Sequence, residues 1–309
     1  MTDNASLLAS LRGGVVGRGR EIELVVAALA ADRHVLLEGP PGTGKSTLLR
    51  AVATGLGIGF EFVEGNAELT PARLVGHFDP ARVLNEGYGP EVFVDGPLVS
   101  ALRDGSLLYV EEINRIPEET LNVLITVMSE GEITVPRLGR VQAAAGFRLV
   151  AAMNPFDAVG TARISGAVYD RVCRVAMSYQ SAEDELAIVQ RMTGDTGLPE
   201  KFLRDIVEVT RLTRTHSDLR VGSSVRGAVD FAMVSGSLAG LRGTIAADDG
   251  VCLDAALVAL SGRVRVREGG TRTAEDIITE IWGSVFRRPD SNGEGGGKAA
   301  APGRGTRNP

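Results

Sequence analysis

The stretch "HVLLEGPPGTGKSTLLRAVATGLG", His34 to Gly57, decides how the chain is read. It opens with a short apolar run closed by glycine, the pattern of a fully buried strand. It then passes through "GPPGTGKST" into a segment with helical apolar spacing that ends on glycine. The middle matches G-x-x-x-x-G-K-[ST], in the strand-to-helix context the motif requires. Glycines let backbone N–H groups turn inward around an anion, and the start of the helix adds positive potential there. Gly39, Pro40, Pro41, Gly42, Thr43, Gly44, Lys45, Ser46 and Thr47 are therefore the candidate phosphate cradle. Lys45 would reach the β- and γ-phosphates of a nucleotide, and Ser46 would ligate Mg2+.

Working outward, "GFEFVEGN", "SLLYVEE", "FRLVAAMNP" and "RVCRVAM" read as four more strands, with helices or hairpins between them. "REIELVVAALAA" reads as a helix ahead of the first strand. Buried strands alternating with helices predict an α/β fold, a mostly parallel sheet flanked by helices. After about Ser181 helical stretches follow one another with no convincing strand, which predicts a smaller all-helical domain. The expected divisions are a loose lead-in over 1–14, an α/β nucleotide-binding domain over 15–180, a helical lid over 181–288 and a disordered Gly/Ala/Pro-rich tail over 289–309.

"LLYVEE" ends an apolar strand on two adjacent carboxylates, Glu111 and Glu112. A phosphate-loop nucleotidase needs one acid for the metal shell and a neighbour to polarise the attacking water. Both belong at the C-terminal end of a strand beside the loop. Glu111 would face the metal and Glu112 the water, and the cation would offset the cost of burying two acids. The alternative is that both simply begin the helix that follows, where acids are favoured.

With 309 residues, 44% hydrophobic and 23% charged, the chain can bury a sizeable core. Its net charge of -6 argues against non-specific nucleic-acid binding as the main task. Cys173 and Cys252 lie far apart and in no metal-ligand spacing, which fits a reduced, cytoplasmic chain. "MTDNASLLAS" has no basic segment followed by an apolar core, so no signal peptide is expected. No apolar run approaches the roughly 20 residues that span a bilayer.

"GPPGTGKS", "EEINRIPEETLNVLITVMSEGEITVP", "AAMNP" and "DRVCR" together resemble the AAA+ ATPases of the MoxR group, kin of magnesium-chelatase ATPase subunits, over about residues 11–285. In that group the strand usually ends Asp-Glu. Here the first acid is Glu111, so a longer side chain has to fit the same metal shell. The resemblance implies that Asn154 orients water near the γ-phosphate. It also implies that Arg171 reaches the nucleotide of a neighbouring subunit, with Arg163 and Arg174 as competitors, and that Arg226 reaches the phosphates of its own subunit. Val16 and Gly17, in "VVGRGRE", would line the base. Two insertions mark the group: the long segment between the second and third strands, and a hairpin around "PRLGR" whose Arg137 and Arg140 could meet a partner.

The resemblance further implies ATP and Mg2+ as cofactors and a homo-hexameric ring. It implies chaperone-like remodelling or maturation of a protein client, including metal or cofactor insertion, through a separate partner with a von Willebrand factor A domain. Two rivals stand beside this machine. One is an ATP-dependent switch or scaffold with little autonomous turnover, because Glu111 replaces the usual Asp. The other is a DNA-handling AAA+ protein, against which the acidic charge counts.

Overall fold

The structure is a computed structural model and describes residues 4–155, 165–194 and 196–287. Helices α1 (Asn4–Gly14) and α2 (Gly19–Ala30) lead into β1 (His34–Glu38), α3 (Lys45–Leu56) and β2 (Phe60–Glu64). The first insertion folds as α4 (Pro71–Val75), β3 (Gly76–Phe78), α5 (Pro80–Glu86), β4 (Phe93–Asp95) and α6 (Pro97–Asp104). Then come β5 (Leu107–Glu111), α7 (Glu118–Glu130), the hairpin β6 (Glu132–Val135) and β7 (Gly139–Gln142), and β8 (Arg148–Met153). The short α8 (Gly166–Tyr169) and β9 (Val172–Ala176) complete this part. Over 4–14 the chain is not the loose lead-in the sequence suggested: it forms α1, which buries Leu11 beside Ile22 and Val25 of α2.

Five strands form one parallel sheet in the order β2-β5-β8-β1-β9. Alternate residues of a strand point to opposite faces, and both faces are covered. Leu36, Leu108, Val110, Leu149 and Ala151 pack towards α6 and α7. Val35, Leu37, Leu107, Tyr109, Val150 and Ala152 pack towards α2 and α3. This two-sided burial is why the strands read as continuous apolar runs. In α2, Ile22, Val25 and Leu29 fall on one face at helical spacing and are buried; each contributes roughly 1.5–3 kcal/mol by leaving water.

A five-residue linker, 177–181, joins β9 to the helical region: α9 (Ala182–Thr193), α10 (Glu200–Leu212), β10 (Leu219–Val221), α11 (Val225–Arg242), α12 (Asp249–Leu260), β11 (Arg265–Val266) and α13 (Ala274–Phe286). Its own core gathers Phe202, Ile206, Phe231, Ile277, Ile281 and Trp282. Helix starts are set locally. The Ser181 hydroxyl accepts from Asp184 N, and Thr273 forms a reciprocal capping box with Asp276. The region is not wholly helical, since β10 and β11 pair antiparallel with Leu219 opposite Val266. Both are too short for a sequence period to reveal. The tail expected over 289–309 lies outside the described residues.

Candidate functional site: the phosphate loop and its surroundings

The loop leaves β1 at Gly39, where a Cβ would run into Met177 O across the sheet edge. Pro40 and Pro41 carry no N–H, so the loop's donors come from Gly42 onward. The first N–H groups of α3 have no partner within the helix. Lys45 is 8% exposed and its Nζ donates to Gly39 O at 2.8 Å and Pro40 O at 2.9 Å, arching over the loop. Burial pushes its pKa down to about 8; Glu111 opposes that shift, while Arg226 and Arg18 add to it. Thr43 is fully buried and donates to Pro40 O. Gly42 sits at φ +73, and a Cβ there would strike the Ser224 hydroxyl at the start of α11. Loop and helical region thus meet where only glycine fits.

The acid pair closes the other side. Ser46 Oγ donates to Glu111 Oε1 at 2.9 Å and lies 3.2 Å from Tyr109 OH, whose ring packs between Phe60 and Phe62. A hydroxyl and a carboxylate oxygen this close are hard donors. They suit Mg2+, which takes one or two protein ligands and keeps several waters. The longer Glu111 therefore does reach Ser46. Glu112 does not begin a helix: it is left-handed at φ 52, ψ 44, followed by a short 3-10 turn, and α7 starts only at Glu118. A non-glycine residue held there is strained, a condition that gathers at functional sites. Its carboxylate pairs with Arg115 Nε at 3.0 Å. Asn154 follows Met153 at the end of β8, between β5 and β1, so the sheet order sets it between Glu111 and the loop.

A cleft of about 540 Å³ opens from the loop towards the helical region. Val15, Val16, Thr47, Ile188, Met192 and Arg226 line it. Gly17 does not. It turns at φ +68 against the Asp184 side chain, so its role is to bring chain and α9 together. A larger cavity of about 700 Å³, beside Tyr179, Arg211 and Arg214, holds none of the residues singled out from the sequence.

Arg171 stands apart. Val172 pairs with His34, whereas the loop follows Glu38 at the far end of β1. Its guanidinium donates to Ser129 Oγ at 2.5 Å and Ala167 O at 2.8 Å, away from its own loop. Arg174 grips Glu38 through two bonds of 2.5 and 3.0 Å. Arg163 lies outside the described residues. In the hairpin, Arg137 stacks over Tyr88 at 3.7 Å, and Arg140 pairs with Glu132 at 3.0 Å.

Two residues escaped the sequence reading. Arg18 is 2% exposed; it donates twice to Thr43 O, once to Ser178 O and once to Glu21. It thereby ties the loop to the linker. Gln180 is 7% exposed and also lines the cleft. Gln180 lies in no motif, and Arg18 falls within the quoted "VVGRGRE" segment, where only Val16 and Gly17 were singled out.

Sheet, loop and acid pair define the P-loop AAA+ fold. Residues 34–172 match the model of the AAA domain (dynein-related subfamily). The chain is 29% identical over 241 residues to "Uncharacterized protein YeaC" of Bacillus subtilis (strain 168), covering 70% of this chain and 72% of that one. It is 29% identical over 219 residues to "Uncharacterized protein YehL" of Escherichia coli (strain K12), covering 68% of this chain and 60% of that one. A crystal structure of a putative ATPase from Cytophaga hutchinsonii superposes with a TM-score of 0.52 at 19% identity, covering 90% of this chain and 92% of that one. The Thermotoga maritima RuvB Holliday junction branch migration motor gives 0.54 at 17%, covering 80% and 72%. Residues 34–172 thus match an AAA domain, and the solved structures share the fold. No helix among the described residues is long and apolar enough to cross a membrane.

Proposed function

We propose that this chain is a MoxR-like AAA+ ATPase. It hydrolyses ATP with Mg2+ to drive remodelling or maturation of a protein client, working as a homo-hexameric ring with a von Willebrand factor A domain partner. The observation that carries the reading is the 2.9 Å contact between Ser46 and Glu111 at the mouth of the loop, with Lys45 on one side and Glu112 on the other. Mg2+, when bound, supplies charge that neutralises the β- and γ-phosphate oxygens. Lys45 and the first amides of α3 hold the phosphates. Glu112 takes the proton of the attacking water, and Asn154 orients that water. Arg226 acts within its own chain. The placement of Arg171 at the end of the sheet remote from its own loop supports action on a neighbour, where a guanidinium stabilises transition-state charge.

Steady-state ATPase activity measured with Mg2+ across protein concentrations tests this, with Lys45→Ala as the blank. Activity rising faster than linearly supports a ring completed by Arg171. A second reading, a nucleotide-dependent switch with little turnover, is favoured by the Arg115 contact on Glu112; ATP binding without turnover above the blank would select it. The likeness to RuvB is one of fold, and the net charge of -6 counts against DNA as the target.

A further inference from the structure

We infer that Gln180 reads the edge of the nucleotide base: its side-chain amide accepts from the 6-amino group of adenine and donates to N7, so the cleft selects adenine over guanine. The inference rests on the nucleotide-binding reading above and adds to it what the cleft distinguishes.

Gln180 belongs to the linker between β9 and α9 and is more than nine-tenths buried. Its main chain is fixed, because its carbonyl oxygen accepts from Arg211 Nη1 at 3.0 Å. Its Nε2 stands 3.9 Å from where a Cβ on Gly44 would sit, so the amide lies beside the phosphate loop. Its Oε1 is buried and has no hydrogen-bond partner in the protein. Buried polar atoms are nearly always satisfied; this one is closed off in the ligand-free chain, so a ligand's donor reaches it when the terminal amide turns towards the cleft. The terminal amide turns easily about its last bond, so it can present both atoms without moving the stem.

Of the other polar side chains in the lining, Thr47 and Arg226 are assigned above to the phosphates, and Asp230 pairs with Arg263. Val15, Val16, Ile188 and Met192 are apolar and offer surfaces for a flat ring. Arg191 is engaged by Gly13 O and Gly14 O, and Arg263 by Asp230 and Ala259 O. Adenine presents a donor at N6 and an acceptor at N7, which one amide meets together. Guanine presents acceptors at both O6 and N7, and the amide can satisfy only one.

The test compares ATP, GTP, 7-deaza-ATP and purine riboside triphosphate on the full chain. Dissociation constants are read by calorimetry, with Lys45→Ala as the blank. The unaltered protein is expected to prefer ATP over GTP by about ten- to a hundredfold. It should also bind both analogues, which lack N7 or the 6-amino group, more weakly than ATP. In Gln180→Leu the two analogues should bind as ATP does. In Gln180→Glu, which keeps the acceptor but repels N7, 7-deaza-ATP should overtake ATP; this variant carries the test if the leucine variant does not fold. Equal analogue penalties in the unaltered and altered proteins would overturn the inference while leaving nucleotide binding intact. If the unaltered protein binds none of the four above the blank, the nucleotide reading itself falls, and the inference with it.

Discussion

Arg115 Nε lies 3.0 Å from Glu112 Oε2, so the carboxylate proposed to activate water is held by a cation three residues further along the same turn. Both side chains are more than a third exposed, and a pair of that kind contributes at most about 1 kcal/mol. Arg115→Ala is therefore expected to raise basal turnover by no more than roughly fivefold and to leave the ATP dissociation constant unchanged. Glu112→Gln should lower turnover by about 10²–10⁴ while binding persists. A fall in ATP affinity in either variant would place these side chains in binding instead of in the chemical step.

Lys45 makes nucleotide binding depend on pH. Burial holds its pKa at about 8, below the ordinary 10.5, and phosphate oxygens favour the charged ammonium. Below about pH 8 the lysine is already protonated and affinity should be flat. Above it, binding must take up a proton, and affinity should fall by up to about tenfold per unit towards pH 10.5. Lys45→Ala should bind weakly and show no such slope. The same shift acts on folding in the opposite sense. The unfolded chain binds more protons between pH 8 and 10.5, so the cost of burying a charged Lys45 is fully present below 8 and relieved as pH rises through that window. Titration of binding by calorimetry from pH 7 to 10 checks the slope.

Arg18 holds the loop from beneath with a planar fork that meets Thr43 O twice and Ser178 O once. Removing it strands buried acceptors and leaves Glu21 without its cation. Arg18→Ala should cost about 3–5 kcal/mol of stability and weaken ATP binding. Arg18→Lys should recover little, because an ammonium cannot reproduce the fork. Urea unfolding of both variants, with ATP affinity measured alongside, separates a brace from a passive core residue: a variant of full stability and full affinity would remove Arg18 from the site.

The two thiols should differ sharply. Cys252 is buried, accepts from Trp282 Nε1 at 3.2 Å, and is pushed up to about 12 by burial, whereas Cys173 is exposed. A thiol reagent at pH 8 is expected to modify Cys173 in the folded chain and to reach Cys252 only after denaturant is added. Rapid modification of both would show that α12 and α13 open readily.

The phosphate loop and the acid pair were legible because their chemistry demands fixed residue types at fixed spacing along the chain. The five strands were legible because burial on both faces writes them as apolar runs. What stayed hidden depends on contacts between distant segments. Arg18 meets Ser178 across 160 residues, and no local pattern announces such a pairing. Gly17 was read as part of the base pocket, but its value lies in its approach to Asp184. β10 and β11, of three and two residues, carry too little sequence to show a period. Helix α1 was missed because "NASLLASLRGG" ends in glycines and reads as a loose lead-in, while Leu11 is buried beside α2.

The stacking of Arg137 on Tyr88 welds the hairpin tip to the first insertion, two segments 49 positions apart. The hairpin also continues directly from α7, whose 13 residues make a rod of roughly 20 Å. At the other end of that rod, one turn away, is the left-handed Glu112. Tip, rod and carboxylate are thus parts in series. In the ATPase proposed above, a displacement of the hairpin tip would therefore be carried along α7 towards Glu112.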